Sequence, residues 1–226
     1  MDSKQLKDFF VIVPAYNEEK NIREVLQKIV LYTNNIIVVD DGSIDDTYEI
    51  AKKVDSNIIV LKHKINLGKG AALKTGCEAA LIRGANILAL IDSDGQHLPE
   101  DMMKLVEKLI EKKLDIVFGE RTFNDDMPFM MKMGNQLLTF TIKLFSKINL
   151  SDTQCGLRVL TSDAYKKIKW QEQNYSVETE MIINAGKYDM KYESVGIKTI
   201  YKDKYKGTTI IDGIIILINL LKWKIL

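Results

Sequence analysis

The chain has 226 residues, 46% apolar and 28% charged, values of an ordinary globular fold with room for one large domain or a domain with an appendage. Lys and Arg total 32 against 31 Asp and Glu, and a formal charge of +1 leaves no global field to attract nucleic acid. Met1–Asp8 lacks an apolar targeting core, no apolar run reaches the ~20 residues that span a bilayer, and Cys77 and Cys155 read as reduced thiols of a cytoplasmic protein.

In chain order, Phe9–Val13 reads as a buried strand ended by Pro14-Ala15-Tyr16-Asn17-Glu18. Asn17 is a candidate N-cap for a helix running to about Leu31, with Ile22, Val25, Leu26, Ile29 and Val30 on one face. Ile36–Val39 is a second strand, closing on Asp40-Asp41-Gly42-Ser43, and a helix follows from Asp45 or Asp46. Ile58–Leu61 is a third strand, and Asn66-Leu67-Gly68-Lys69-Gly70 leads into an Ala-rich helix. The central stretch is Ile87–Ile91, an apolar strand running into Asp92-Ser93-Asp94-Gly95-Gln96, with Pro99 opening a helix that turns Met102, Met103, Leu105, Val106, Leu109 and Ile110 inward. Asp115–Gly119 is a fifth strand. Strands alternating with helices at this spacing predict a parallel sheet with right-handed crossovers and polar residues gathered at the strand ends.

The second half is less regular. It predicts a long amphipathic helix over about 129–148, whose Met130, Met131 and Met133 read as core filler, then a polar turn at Asp152–Arg158. A helix opens near Glu178-Thr179-Glu180, Met190–Ile200 suggests a strand, and 202–207 is a basic loop. The tail, Thr208–Leu226, is an Ile/Leu-rich amphipathic segment that either packs on the protein or rests at a lipid interface with Trp223 and its lysines as anchors.

Three strand ends carry acids: Glu18, then Asp40 and Asp41, then Asp92 and Asp94. Carboxylates stacked at one sheet edge need compensating positive charge, which Lys69 and a divalent cation would supply. Two carboxylates and an amide oxygen form a hard-oxygen set suited to Mg²⁺ or Mn²⁺ shared with phosphate. Gly68-Lys69-Gly70 has neither Walker spacing nor the position of a dinucleotide fingerprint, so NAD is disfavoured.

The ordered set Pro14–Glu18, Val38–Ser43, Asn66–Gly70 and Asp92–Gln96 resembles the family 2 glycosyltransferases of the GT-A fold. With Gly119-Glu120-Arg121 and Asp152–Arg158, it is similar to the branch that moves mannose or glucose to dolichyl or polyprenyl phosphate. The resemblance implies an α/β, Rossmann-like, mainly parallel sheet flanked by helices, with a catalytic domain over 1–207 and the tail as a C-terminal amphipathic helix.

It also implies residue roles. Pro14, Tyr16, Glu18, Asp40, Asp41 and Lys69, with Asp92, Ser93 and Asp94, would hold the nucleotide sugar, GDP-mannose or UDP-glucose. Asp92, Asp94 and Gln96 would hold Mg²⁺ or Mn²⁺ on its diphosphate, and Arg121 joins the two aspartates as catalytic. The acceptor phosphate would be met by Arg121, Lys132, Arg158, Lys202 and Lys206. Where relatives have an Arg early in the long helix this chain has Met131, beside Lys132, and the two loop lysines stand where relatives tend to have Arg. Glu178 and Glu180 are open between positioning the sugar and capping a helix, and Arg158 between phosphate and a buried ion pair. Longer relatives continue into transmembrane helices; this chain is expected to be peripheral at the inner face of the membrane. Rival readings keep the fold with a glycan, lipid or protein acceptor, or make it a catalytically silent assembly partner.

Overall fold

The computed structural model describes residues 9–121, 139, 141–144, 146–174 and 176–200. They form seven strands and six helices: β1 Phe9–Ala15, α1 Ile22–Ile29, β2 Ile36–Asp40, α2 Thr47–Lys52, β3 Ile59–Lys62, α3 Lys69–Ile82, β4 Ile87–Leu90, α4 Pro99–Lys112, β5 Ile116–Arg121, β6 Arg158–Thr161, α5 Ser162–Ile168, α6 Val177–Lys187 and β7 Tyr192–Ile197.

The strands make one sheet in the order β3-β2-β1-β4-β6-β5-β7. The first four are parallel, with Ala15 beside Asp40 and Ile12 beside Leu90 in register. β6 is antiparallel to both β4 and β5, while β5 and β7 are parallel. The order turns back on itself between β1 and β4. In an open α/β sheet the ligand crevice lies at such a point, outside the carboxyl ends of the strands.

Alternation along the strands sends side chains to two cores. Ile12, Ile37, Val39, Leu88 and Phe118 pack under α3, α5 and α6, and Val11, Val13, Val38, Ala89 and Val117 under α1 and α4. α3 lies close on the sheet at Gly76, where a Cβ would stand 2.5 Å from Ile12 Cγ2 and 3.3 Å from Val39 Cγ2. Across the second half, Tyr165 and Trp170 meet edge to face at 5.2 Å, and Trp170 Nε1 donates to the Gly70 carbonyl at 2.8 Å, tying α5 to the start of α3.

Several expectations need correction. The first helix begins at Ile22, with Asn21 rather than Asn17 at the N-cap. Asn17 adopts a left-handed φ of 54° and links two loops: its N–H donates to Ser43 Oγ at 2.9 Å and its Oδ1 accepts from Ile44 N–H at 3.0 Å. β6 and α5 were not foreseen. β6 is four residues opening on Arg158, too short and too polar at its start to read as a buried strand. Most of the predicted 129–148 helix, Met130–Met133 included, lies outside the described residues, as do the basic loop and the 208–226 tail.

Candidate active site

The carboxyl ends of β1, β2 and β4 bring the predicted acids to one edge of the sheet. Asp92, two residues beyond β4, is held from two sides. Gly156, in the turn before β6, packs against its carboxylate so closely that a Cβ there would overlap Asp92 Oδ2. Lys69, the first residue of α3, places Nζ 2.7 Å from Asp92 Oδ1 and 2.7 Å from Glu178 Oε1. One ammonium thus bridges a carboxylate of the sheet edge and one from the first turn of α6. Burial opposes the charge on Lys69, but Asp92 and Glu178 outweigh it and hold the ammonium well above its ordinary pKa. Burial also opposes ionisation of Asp92, and Lys69 and the surrounding donors reverse the sign, leaving its carboxyl below the usual range.

Asp94 differs. Burial, and then the neighbouring Asp92 charge, push its carboxyl up to about 6, with Glu18 adding to the rise. Its Oδ1 accepts from the Gln96 N–H at 2.9 Å, and among the described residues no ion pair reaches it. A buried acid beside a second acid is a donor set that an added cation would relieve. The hard oxygens of Asp92, Asp94 and the Gln96 amide suit Mg²⁺ or Mn²⁺, so the residues fit such an ion. Among the described residues no group of three His, Cys, Asp or Glu side chains is placed to hold a metal ion by itself.

The second strand end is built from loop contacts. Asp41 Oδ1 accepts from Leu67 N–H at 3.0 Å and lies 2.7 Å from His63 Nδ1, while Oδ2 accepts from Gly68 N–H at 2.7 Å. Asp41 therefore closes the β3–α3 loop onto β2. Asp40 is fully buried; its Oδ1 accepts from Ser43 N–H at 3.2 Å, and among the described residues its Oδ2 has no hydrogen bond and lies 3.4 Å from the Lys62 ammonium. Tyr16, just past β1, is 43% exposed, and Pro14 is buried within β1 beside Val39. Glu18 Oε2 accepts from Asn21 Nδ2 at 2.8 Å, and Ser93 is buried between the two aspartates.

The cationic residues separate. Arg121, at the end of β5, grips Asp152 through Nε at 2.6 Å and Nη2 at 2.9 Å, and its field reaches Asp92. Arg158 is 1% exposed and spends Nε, Nη1 and Nη2 on the carbonyls of Cys155, Glu178 and Thr153, at 3.1, 2.6 and 3.2 Å. That geometry speaks against a phosphate role: the guanidinium stitches the 153–155 turn to α6 through carbonyls, where the sequence left phosphate and a buried ion pair open. Lys132, Lys202 and Lys206 lie outside the described residues.

Glu178 and Glu180 divide their work. Glu178 reaches Lys69, whereas Glu180 accepts from the N–H groups of Gln171 and Glu172 at 2.7–3.1 Å and fixes the loop that seals the start of α3. In that seal the Gln173 carbonyl accepts from Gly70 N–H at 2.6 Å. Gly156, Asp152 and His97 were not assigned from sequence as part of the site. His97, whose Nε2 lies 3.8 Å from Asp92 Oδ2, is buried, and burial lowers its pKa to about 4, so it stands neutral there.

Acids, a bridging lysine and a closed loop gather at the turning point of an α/β sheet, and the architecture is GT-A-like. The chain is similar in fold to glucosyl-3-phosphoglycerate synthase from Mycobacterium tuberculosis, solved with Mn²⁺, uridine diphosphate and phosphoglyceric acid (TM-score 0.76, 19% identity, covering 96% of this chain and 78% of that one). The model of glycosyl transferase family 2 matches residues 10–169, and the chain belongs to that family. It is 35% identical to the UDP-N-acetylglucosamine–dolichyl-phosphate N-acetylglucosaminyltransferase of Methanococcus voltae, over 96% of each chain. It is 29% identical to the dolichol-phosphate mannosyltransferase of Pyrococcus furiosus, over 95% of this chain and 64% of that one.

Proposed function

We propose that this glycosyltransferase moves a hexose, with inversion, from a nucleotide sugar to a polyprenyl or dolichyl phosphate. The observation that carries the reading is the Asp92–Asp94 pair at the turning point of the sheet, one acid compensated by Lys69 and the other without an ion pair among the described residues. Relatives named for dolichyl-phosphate acceptors support the acceptor class. Mannose, glucose and N-acetylglucosamine donors are all represented among such names, so GDP-mannose, UDP-glucose and UDP-N-acetylglucosamine are the donors to test.

Asp92 and Asp94, with Gln96, would hold Mg²⁺ or Mn²⁺, which when bound neutralises charge on the departing nucleoside diphosphate. Lys69 adds a permanent positive charge at the same edge, already desolvated and oriented. Tyr16, with Pro14 and Glu18, would flank base and ribose. Asp41 shapes their floor by closing the β3–α3 loop. The acceptor is a phosphate monoester, largely ionised at neutral pH. Its oxygen attacks the anomeric carbon opposite the diphosphate, forming the new C–O bond as the old one breaks. No strong general base is needed. Arg121, oriented by Asp152, would meet the incoming phosphate with a planar fork. Residues 1–207 would form the catalytic unit, and the 208–226 tail an interfacial helix at the membrane face. Among the described residues no helix is long and apolar enough to cross a membrane.

The test is product formation from each donor with undecaprenyl or dolichyl phosphate, against simple sugars as acceptors, with and without chelator. Asp94→Ala is expected to abolish turnover with the fold retained. Wild-type rates in that variant, or in excess chelator, refute the metal assignment; turnover on simple sugars alone refutes the acceptor.

A further inference from the structure

We propose that Glu178 is a second seat for the Lys69 ammonium, and that through this seat the chain sets how strongly its own lysine competes with a divalent cation for Asp92. The inference rests on the reading of Asp92 and Asp94 as metal ligands.

Lys69 is equidistant, at 2.7 Å, from Asp92 Oδ1 and Glu178 Oε1. Its backbone cannot follow its side chain. Gly68 N–H is held by Asp41 Oδ2 at 2.7 Å and Gly70 N–H by the Gln173 carbonyl at 2.6 Å, one residue to either side. Glu178 is equally fixed, because its carbonyl accepts from the buried Arg158 Nη1 at 2.6 Å and the next residue, Thr179, takes Gln154 Nε2 on its hydroxyl at 3.2 Å. Asp92 is walled by Gly156. The backbone of Glu178 is therefore tied down and the Asp92 carboxylate is walled on one side, and the ammonium between the two acids is the part that can shift its weight.

An ammonium has three donors and a divalent ion carries twice its charge. An ion drawing on Asp92 takes the oxygen that Lys69 now uses and repels the lysine at short range. With Glu178 present, Lys69 leaves Asp92 without losing its buried counter-charge, and its remaining donors turn toward diphosphate oxygens. In Glu178→Gln, Asp92 is the one carboxylate left in ion-pair range of Lys69 among the described residues, and the lysine holds on. Glu178 is accordingly a positioning residue that acts through Lys69.

The test uses the full chain and Mn²⁺ alone, with free ion followed by its electron paramagnetic resonance and no donor or acceptor added. Lys69→Met is expected to tighten Mn²⁺ binding by about threefold to tenfold, the range of coupling between touching groups. Lys69→Gln should behave likewise, which guards against one variant folding badly, and melting curves confirm the fold. Glu178→Gln is expected to weaken binding by a similar factor when Lys69 is present. Combined with Lys69→Met, it should shift binding by less than about twofold. Equal weakening in both backgrounds would mean that Glu178 acts only as a distant charge, and overturns the proposal. So does Mn²⁺ affinity indifferent to both Lys69 variants. A chain that shows the coupling but transfers no sugar to polyprenyl phosphate keeps this inference and loses the functional reading. A chain that transfers sugar with additive effects loses the inference alone.

Discussion

Replacing Gly156 by alanine separates the placement of Asp92 from the stability of the fold. The added Cβ would stand 2.9 Å from Asp92 Cγ and 3.0 Å from Oδ1, and closer still to Oδ2. Carbon contacts settle near 3.5–4.0 Å, so the carboxylate has to retreat by roughly 1 Å. That movement stretches the 2.7 Å contact to Lys69 out of hydrogen-bond range. A charge-assisted hydrogen bond contributes about 1.5–3 kcal/mol. Here Lys69 keeps Glu178 and the displaced Asp92 gains water, so the expected loss is about 1–2 kcal/mol, or roughly 2–8 °C in melting temperature for a chain of this size. Activity should suffer far more, because misplacing a reacting group by about 1 Å costs on the order of 10²-fold. The control is Gly84→Ala, just past α3, where a Cβ meets nothing within 4 Å but the backbone sits at φ +80°. Left-handed strain there costs about 1–2 kcal/mol. The two variants should melt alike, while sugar transfer falls about 100-fold in the first and stays at the wild-type rate in the second. Wild-type turnover in Gly156→Ala, or an equal loss in both variants, would refute the view that this glycine sets Asp92.

The Arg121–Asp152 pair predicts an acid limb. Burial opposes the Asp152 charge, Arg121 overcomes it, and the carboxyl sits below its ordinary value. Because the folded pKa is the lower one, this contribution is complete above the unfolded value of about 3.9 and is lost as pH falls through the folded one. Asp152→Asn should therefore be less stable at neutral pH, with denaturant midpoints that change less than wild type below about pH 4; parallel curves would contradict the pairing. Both cysteines are fully buried, burial raising Cys77 above the usual thiol range and Cys155 to about 12. Neither should react with a thiol reagent at pH 7 until the chain unfolds, and rapid labelling of native protein would refute this burial. Glu180→Gln puts an amide where three N–H contacts converge. It should cost about 1–3 kcal/mol and speed hydrogen exchange at Gly70, whose N–H is held by the same loop; unchanged exchange would show that the loop stands without it.

What could be read from the chain in advance follows from the range of the forces involved. Strands β1 to β5 write apolar runs, so they were visible within a residue or two, and Asp40 and Asp41 marked the end of β2 as Asp92 and Asp94 did that of β4. β6 was invisible because its first residue is Arg158, a charged side chain buried by bonding to three carbonyls, and no local pattern announces such a partner set. The same limit applies to the site. Lys69 was legible as a cation near acids, but its bridge to Glu178 joins residues from opposite halves of the chain, and only the closing of α6 onto α3 makes it. Gly156 stood in a quoted motif as a turn residue. Its second property, the absence of a Cβ where Asp92 needs room, is a fact about a neighbour and not about the turn. Arg158 shows why residue type alone misleads here: the chemistry that suits a guanidinium to phosphate also suits it to carbonyl oxygens. Burial decides between them: Arg158 is 1% exposed, and its Nε, Nη1 and Nη2 all bond protein carbonyls.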